Sequence, residues 1–248
     1  RPPRSTLFPY TTLFRSLSRD EFLAALQTYA AIDDAKLRAH FYGFLNTLRP
    51  VCEELGVRIA VHPDDPPRPL FGLPRIVSTA ADIEQLYREV PSDAIGMAFC
   101  AGSLGGRQDN DTSDMFERFV HRIHFVHLRN TTFVAEKSFH ESACHLEGHT
   151  DMARILKALA AEEKRRGEGI VVRPDHGKQM AIDAHRACYP GYSYAGRMKG
   201  LAELRGMNAG LLYGNKPFCG KVAVITGGAG VLCSVMTEDL LRAGAKVA

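Results

Sequence analysis

Apolar positions along this chain recur at two alternating periods. Phe41, Phe44, Leu45, Leu48, Cys52 and Leu55 fall at three- and four-residue steps, which predicts a helix with one apolar face. Gly56 then supplies the left-handed backbone that ends such a helix. The short, mostly apolar run over 57–61 has the character of a buried parallel strand. The same alternation repeats, with helices predicted over 80–90, 113–121, 151–166 and 194–206 and strands over 96–100, 123–128 and 170–173. Upstream, Ser18 and Glu21 stand at capping-box spacing, so folded sequence is expected to begin with a helix there. Strands alternating with helices imply right-handed βαβ units and a parallel sheet, an α/β fold. The pattern yields four strands before residue 210, whereas a closed barrel of this kind needs eight strands and ~250 residues. The expected architecture is therefore a partial TIM-type (β/α) barrel, its C-terminal half.

The two ends depart from this pattern. Residues 1–16 match neither helix nor strand periodicity; they are similar to a translated sequencing adapter and read as a non-native segment, a native arm being the alternative. Residues 212–218 form a linker-like break. After it come a strand from Lys221, the glycine-rich turn Gly227-Gly228-Ala229-Gly230, a helix over 237–243 and the start of another strand over 244–248. That order is the opening of a dinucleotide-binding domain, a truncated Rossmann-like βαβ start. Three units are thus expected: 1–16, a half barrel over 17–213, and the truncated start over 214–248.

Charge and composition narrow the function classes. A net charge of +3, with 31 basic and 28 acidic residues mixed along the chain, does not suggest a nucleic-acid binder. The run Lys164-Arg165-Arg166 follows Glu162-Glu163 and reads as a solvated helix end. No apolar stretch is long enough to span a bilayer and no signal peptide is evident, so no membrane partner is expected. Six cysteines without a CxxC pair fit reduced thiols and a cytoplasmic setting.

The candidate chemistry lies at the strand ends. His62 follows the strand over 57–61, Cys100 closes the next, His127 the third, and Asp175 stands just past the fourth. In a barrel of alternating strands and helices, the C-terminal ends of the strands converge on one face. Two imidazoles, a thiolate and a carboxylate meeting there would make a four-ligand divalent metal site. Taken singly, each is more often a loop histidine or a core cysteine; four on successive strand ends change the balance. Arg129 and Arg173 flank the last two positions, and their guanidinium forks suit a substrate carboxylate, structural ion pairs being the alternative. His176 could act as an acid or base beside a metal, and Tyr192 could serve as a base if an adjacent metal and arginine lowered its pKa.

The ordered motifs His62-Pro63-Asp64-Asp65-Pro66-Pro67, Cys100-Ala101-Gly102-Ser103-Leu104-Gly105, His127-Leu128-Arg129-Asn130, Ser138-Phe139-His140-Glu141, Arg173-Pro174-Asp175-His176-Gly177 and Pro190-Gly191-Tyr192-Ser193 together resemble the mannonate dehydratase family over 17–212. The resemblance implies a TIM-type barrel, a Mn2+ or Fe2+ ion and dehydration of a small sugar acid, D-mannonate, to 2-dehydro-3-deoxy-D-gluconate in hexuronate breakdown. It implies His62, Cys100, His127 and Asp175 as metal ligands, and His176 and Tyr192 as the proton-transfer residues. It leaves open whether the parent enzyme is a homo-oligomer. Tyr189 stands near Pro190-Gly191-Tyr192 where a polar residue such as Asn is expected, and the N-terminal strands of the family are missing. From Lys216 onward the chain resembles the start of a short-chain dehydrogenase/reductase, with Gly227, Gly228 and Gly230 around the pyrophosphate of NAD(P). Cys233 replaces a customary third glycine, and that family's catalytic Tyr and Lys would lie beyond residue 248, so no reductase activity is expected. The alternatives are a related metal-dependent barrel sugar isomerase or epimerase, and an inactive chimeric fragment.

Overall fold

Helix-capping chemistry in the sequence is realised at the start of nearly every helix of the computed structural model, which describes residues 17–136, 138–213, 218, 220–226 and 231–248. Ser18 caps α1 (Arg19–Tyr29) with Glu21 closing the capping box. Asp33 caps α2 (Asp34–Leu55), and Gly56, at φ 64°, ends it. Thr79 caps α3 (Ala80–Glu89) and Asp82 returns the bond. Asp111 caps α5 (Thr112–Phe119), and Asp151 caps α6 (Met152–Arg166) through two backbone amides. Each satisfied donor is one of the orphan N–H groups at a helix start, worth about 1 kcal/mol.

The strands β1 (Ile59–Val61), β2 (Ile95–Cys100), β3 (Ile123–His127) and β6 (Val171–Arg173) form one parallel sheet in the order β1-β2-β3-β6. Each new strand adds on the same side of the last. That is the winding of a barrel wall; a doubly wound sheet would reverse its order partway. All six residues of β2 are buried, as befits a strand with neighbours on both edges and cover on both faces. Phe99 and Phe116 meet edge to face at 5.0 Å in the core, with Ile83, Leu86, Ile123, Val126, Leu128 and Ile155 around them. Among the described residues no helix is long and apolar enough to cross a membrane.

Several sequence expectations need adjustment. The buried stripe of α2 runs through Tyr42, Leu45 and Cys52, while Phe44 and Leu55 sit at its margin and are exposed. Helix α7 (Tyr194–Tyr213) continues well past residue 206 and through Leu212, where a break was expected. Gly206 and Gly210 weaken that helix without ending it, because Met207 and Ala209 between them and Leu211 and Leu212 after them are strong helix formers. The segment between β3 and α6 is not plain loop. It holds an antiparallel hairpin, β4 (Thr131–Ala135) and β5 (Ser138–Glu141), with Thr131 opposite Glu141 and Phe133 opposite Phe139. Cys100 also opens a short helix, α4 (Ala101–Leu104).

Near the C-terminus β7 (Val222–Ala223) pairs in parallel with β8 (Lys246–Val247), joined through α8 (Val231–Arg242). That helix starts six residues earlier than the 237–243 expected. Residues 1–16 and the glycines Gly227, Gly228 and Gly230 lie outside the described residues.

Candidate metal centre and active site

Strand register brings the predicted ligands together. Cys100 is paired with His127 across β2 and β3, and His127 with Arg173 across β3 and β6. His62 follows β1 by one residue, and Asp175 follows β6 by two. Donor atoms of His62, Cys100 and His127 all lie within 4.8 Å of one another. Asp175 stands beside them, its Oδ2 3.6 Å from His127 Nδ1 and 3.9 Å from Cys100 Sγ. His62 Nε2 is 3.3 Å from His127 Nδ1, and His62 Nδ1 donates to the Pro63 carbonyl at 2.7 Å, which fixes its ring and leaves Nε2 toward the cluster. Asp175 holds a left-handed backbone, φ 63°, that few side chains other than Asp and Asn tolerate. Such strain persists where the surroundings over-determine it, and it clusters at functional sites.

Electrostatics prepare these groups to bind a cation. Cys100 is fully buried, which works against its thiolate, yet the charge of Arg129 and hydrogen bonds from His127 and His62 bring its pKa down to about 5. The Ser103 amide and hydroxyl both donate to its sulfur, at 3.4 and 3.1 Å. Burial likewise opposes ionisation of Asp175, but His176, His127, Arg129 and Arg173 hold its carboxyl below the usual range. Burial opposes a charge on His62 too, and the Cys100 thiolate outweighs it, raising the imidazole.

Arg129 organises the acidic side of the site. Its side chain is only 5% exposed, and its stem passes so close to Gly102 that a Cβ there would stand 2.4 Å from Arg129 Cγ. Nε donates to Asp175 Oδ2 at 3.0 Å, Nη1 to Glu141 Oε1 at 2.7 Å, and Nη2 to Ser103 Oγ at 3.0 Å and to Asp65. The fork read from the sequence as suited to a substrate carboxylate is thus engaged by four protein acceptors. Arg173 differs: its side chain is 47% exposed, with Nη2 3.5 Å from Asp175 Oδ1.

His176 and Tyr192 are neighbours, their ring centroids 4.5 Å apart in an edge contact. Nδ1 of His176 meets Glu141, and Nε2 lies 3.7 Å from Asp175 Oδ2. In the metal-free chain the Tyr192 phenol is raised by burial and by Asp175, with Arg129 acting in the opposite direction; the lowering expected from the sequence required a metal beside it. The two residues meet because Gly177 N–H donates to Gly191 and Ser193 N–H donates to Gly177, at 2.7 and 3.1 Å. Tyr189 is 44% exposed on the same turn, and its carbonyl accepts from the Tyr192 amide.

Sequence reasoning assigned no role to Glu141, Ser103, Asp65, Asn130 or His145. Asn130 closes the loop over β4 and β5, donating to the His145 and Thr150 carbonyls and accepting from the Thr131 and Thr150 amides. His145 Nε2 donates to the Pro174 carbonyl at 2.9 Å, one residue before Asp175. The available signal was the unbroken polar run Arg129-Asn130 after an apolar strand, because buried polar side chains need partners.

Comparison with known proteins agrees with this geometry. The sequence profile of the D-mannonate dehydratase (UxuA) family matches residues 16–216. Curated mannonate dehydratases of Brucella canis and Brucella melitensis biotype 2 are each 51% identical to the chain over 189 residues, covering 75% of it. The match takes in 47% of either relative, so the chain spans about half the length of the curated relatives it matches. The crystal structure of mannonate dehydratase from Streptococcus suis serotype 2 superposes with a TM-score of 0.71 at 31% identity, covering 81% of this chain and 57% of that one. Profile, relatives and superposition converge on one assignment: this chain belongs to the mannonate dehydratase family.

Proposed function

We propose that this chain carries the metal-binding and proton-transfer residues of a D-mannonate dehydratase, which removes water from D-mannonate to leave 2-dehydro-3-deoxy-D-gluconate. The observation that carries the proposal is the convergence of His62, Cys100 and His127 beside Asp175, with the His176–Tyr192 pair at the edge of the same cluster. The donor set fits a divalent ion. It offers two imidazoles, a carboxylate, and a thiol already inclined to ionise, and ligands must be deprotonated to bind. His62, Cys100, His127 and Asp175 would hold the ion, Mn2+ or Fe2+, whose positive charge would stabilise the negative charge that develops on the substrate carboxylate.

The protein's own groups account for the rest. Arg173, half-exposed at the end of β6, would meet the carboxylate of the sugar acid, a role its exposed guanidinium supports. Arg129 holds Asp175 and Glu141 in place. Dehydration needs one group to take the proton beside the carboxylate and another to give a proton to the departing hydroxyl. His176, with Nδ1 against Glu141, has Nε2 left to accept. Tyr192, whose phenol is raised, keeps its proton at neutral pH and can donate it. The enol that results becomes the 2-keto product.

On this reading the residues for the reaction belong to the half-barrel unit over 17–213. We infer a separate unit over 214–248, where the parallel β7-α8-β8 arrangement fits the start of a dinucleotide-binding unit. The free thiols Cys52, Cys100, Cys144, Cys188 and Cys233 suit a cytoplasmic setting.

Incubation with D-mannonate and Mn2+ tests the proposal, using the chain alone and then mixed with the N-terminal half of a relative. Formation of a 2-keto-3-deoxy acid, lost on chelation, is expected. An epimer of unchanged mass would transfer the site to isomerase chemistry, and no product in either arrangement would overturn the proposal.

A further inference from the structure

We infer that Glu141, at the end of the β4–β5 hairpin, is the positioning residue that fixes the tautomer and orientation of His176, an inference that rests on the dehydratase reading of this site. Glu141 Oε1 faces His176 Nδ1 on one side and accepts from Arg129 Nη1 at 2.7 Å on the other. Flanked by these two donors the carboxylate stays ionised against its burial, His176 contributing most and Arg129 next, and an ionised carboxylate can only accept hydrogen bonds. Nδ1 must therefore carry the ring proton, which leaves the lone pair of the neutral imidazole on Nε2. That nitrogen is the one facing Asp175 and, past it, His127 and Cys100.

Three separate segments lock the pair. Strand pairing with Thr131 anchors Glu141 in the hairpin. The turn before α7 crosses directly over the contact: a Cβ on Gly191 would stand 3.3 Å from Glu141 Oε2 and 3.6 Å from His176 Nδ1. Gly191 also has φ 82°, which a residue with a Cβ adopts only with strain. Tyr192 then sets the ring plane through its edge contact at 4.5 Å. A carboxylate that served only to neutralise Arg129 would not need its other side closed in this way. Arg129 has Asp175 and Asp65 as counter-charges already.

The test has two readouts. In the metal-free chain, nitrogen NMR of His176, assigned against His176→Asn and followed to alkaline pH where the ring is neutral, is expected to show one tautomer with the proton on Nδ1. Glu141→Gln can donate through its amide as well as accept, so it should yield a mixture of tautomers. The same variant should lower kcat about 10- to 100-fold with KM little changed, as loss of an orienting partner does. A neutral ring protonated on Nε2 in the unmodified chain would overturn the inference even if the variant failed to fold. So would a Glu141→Gln protein with unchanged tautomer and unchanged kcat. The NMR arm needs no turnover, so an inactive chain with the expected tautomer would count against the dehydratase reading and leave the positioning role standing.

Discussion

Replacing Arg129 by Met isolates the contribution of one buried cation to the whole site. The guanidinium is 5% exposed and donates to Asp175, Glu141, Ser103 and Asp65. Methionine fills much the same volume but leaves those acceptors without a donor. Asp175 and Glu141 cannot turn to water freely, with side chains only 10% and 23% exposed, whereas Asp65 at 41% can. Breaking a buried pair by removing one partner costs about 3–5 kcal/mol, most of it from the charge left behind. In a domain of this size each kcal/mol lowers the melting temperature by about 2–4 °C, so a drop of about 6–20 °C is expected. The assay is thermal unfolding of the metal-free chain at neutral pH, followed by circular dichroism. Arg129→Lys retains the charge but offers one ammonium to acceptors spread around a planar fork, so it should recover less than roughly half of the loss. Arg129 is also the strongest influence opposing burial at Cys100. The ultraviolet absorbance of the thiolate should therefore appear at higher pH in Arg129→Met. A loss below about 1 kcal/mol, the ordinary range of an exposed pair, with an unmoved thiolate, would refute the picture of Arg129 as the hub.

Other expectations follow from the same structure. Cys100→Ala, His62→Ala and His127→Ala should each weaken Mn2+ binding measured by calorimetry by at least about tenfold, or about 1.4 kcal/mol; unchanged affinity in any of them removes that residue from the site. Folding lowers the Cys100 pKa from 9.0 to about 5, so its stabilising contribution is complete above about pH 9 and is lost as pH falls through about 5. The stability advantage of the metal-free chain over Cys100→Ser should shrink across that window, and a difference independent of pH would contradict the assignment. Gly96→Ala would place a Cβ 2.0 Å from the Arg122 carbonyl and 2.6 Å from His124 Nε2. Because the nearer atom is backbone, a cost of about 1–3 kcal/mol or more is expected, and an unaltered denaturant midpoint would show that β2 and β3 can shift apart.

Much of the fold was legible because its determinants are local. The period of apolar residues, the Ser18–Glu21 capping box and the glycine after α2 act within a few residues of the chain, and the caps at Thr79 and Asp151, unread in the sequence, are equally local. Parallel strands spaced by helices also bring strand ends to one face, so His62, Cys100, His127 and Asp175 could be grouped before any distance was known. The hairpin β4–β5 escaped because its Thr, Phe and Val residues lie in a short stretch that periodicity alone does not separate from loop. The extent of α7 escaped because Gly206 and Gly210 suggest an end that the neighbouring helix formers override.

The sequence by itself determined the alternation of elements, the caps and the residue types available to a metal centre, since propensity, capping and period are properties of neighbouring residues. Tertiary structure decided what those residues do. Arg129 could be read as a fork for substrate until folding surrounded it with Ser103, Asp65, Glu141 and Asp175. The pKa of Tyr192 could have moved either way until burial and Asp175 set its direction. Glu141 meets His176 across 35 residues of chain, and Cys100 meets Asp175 across 75. Ionisation and hydrogen bonding depend on distance and on exclusion of water, and no local pattern of side chains encodes either one.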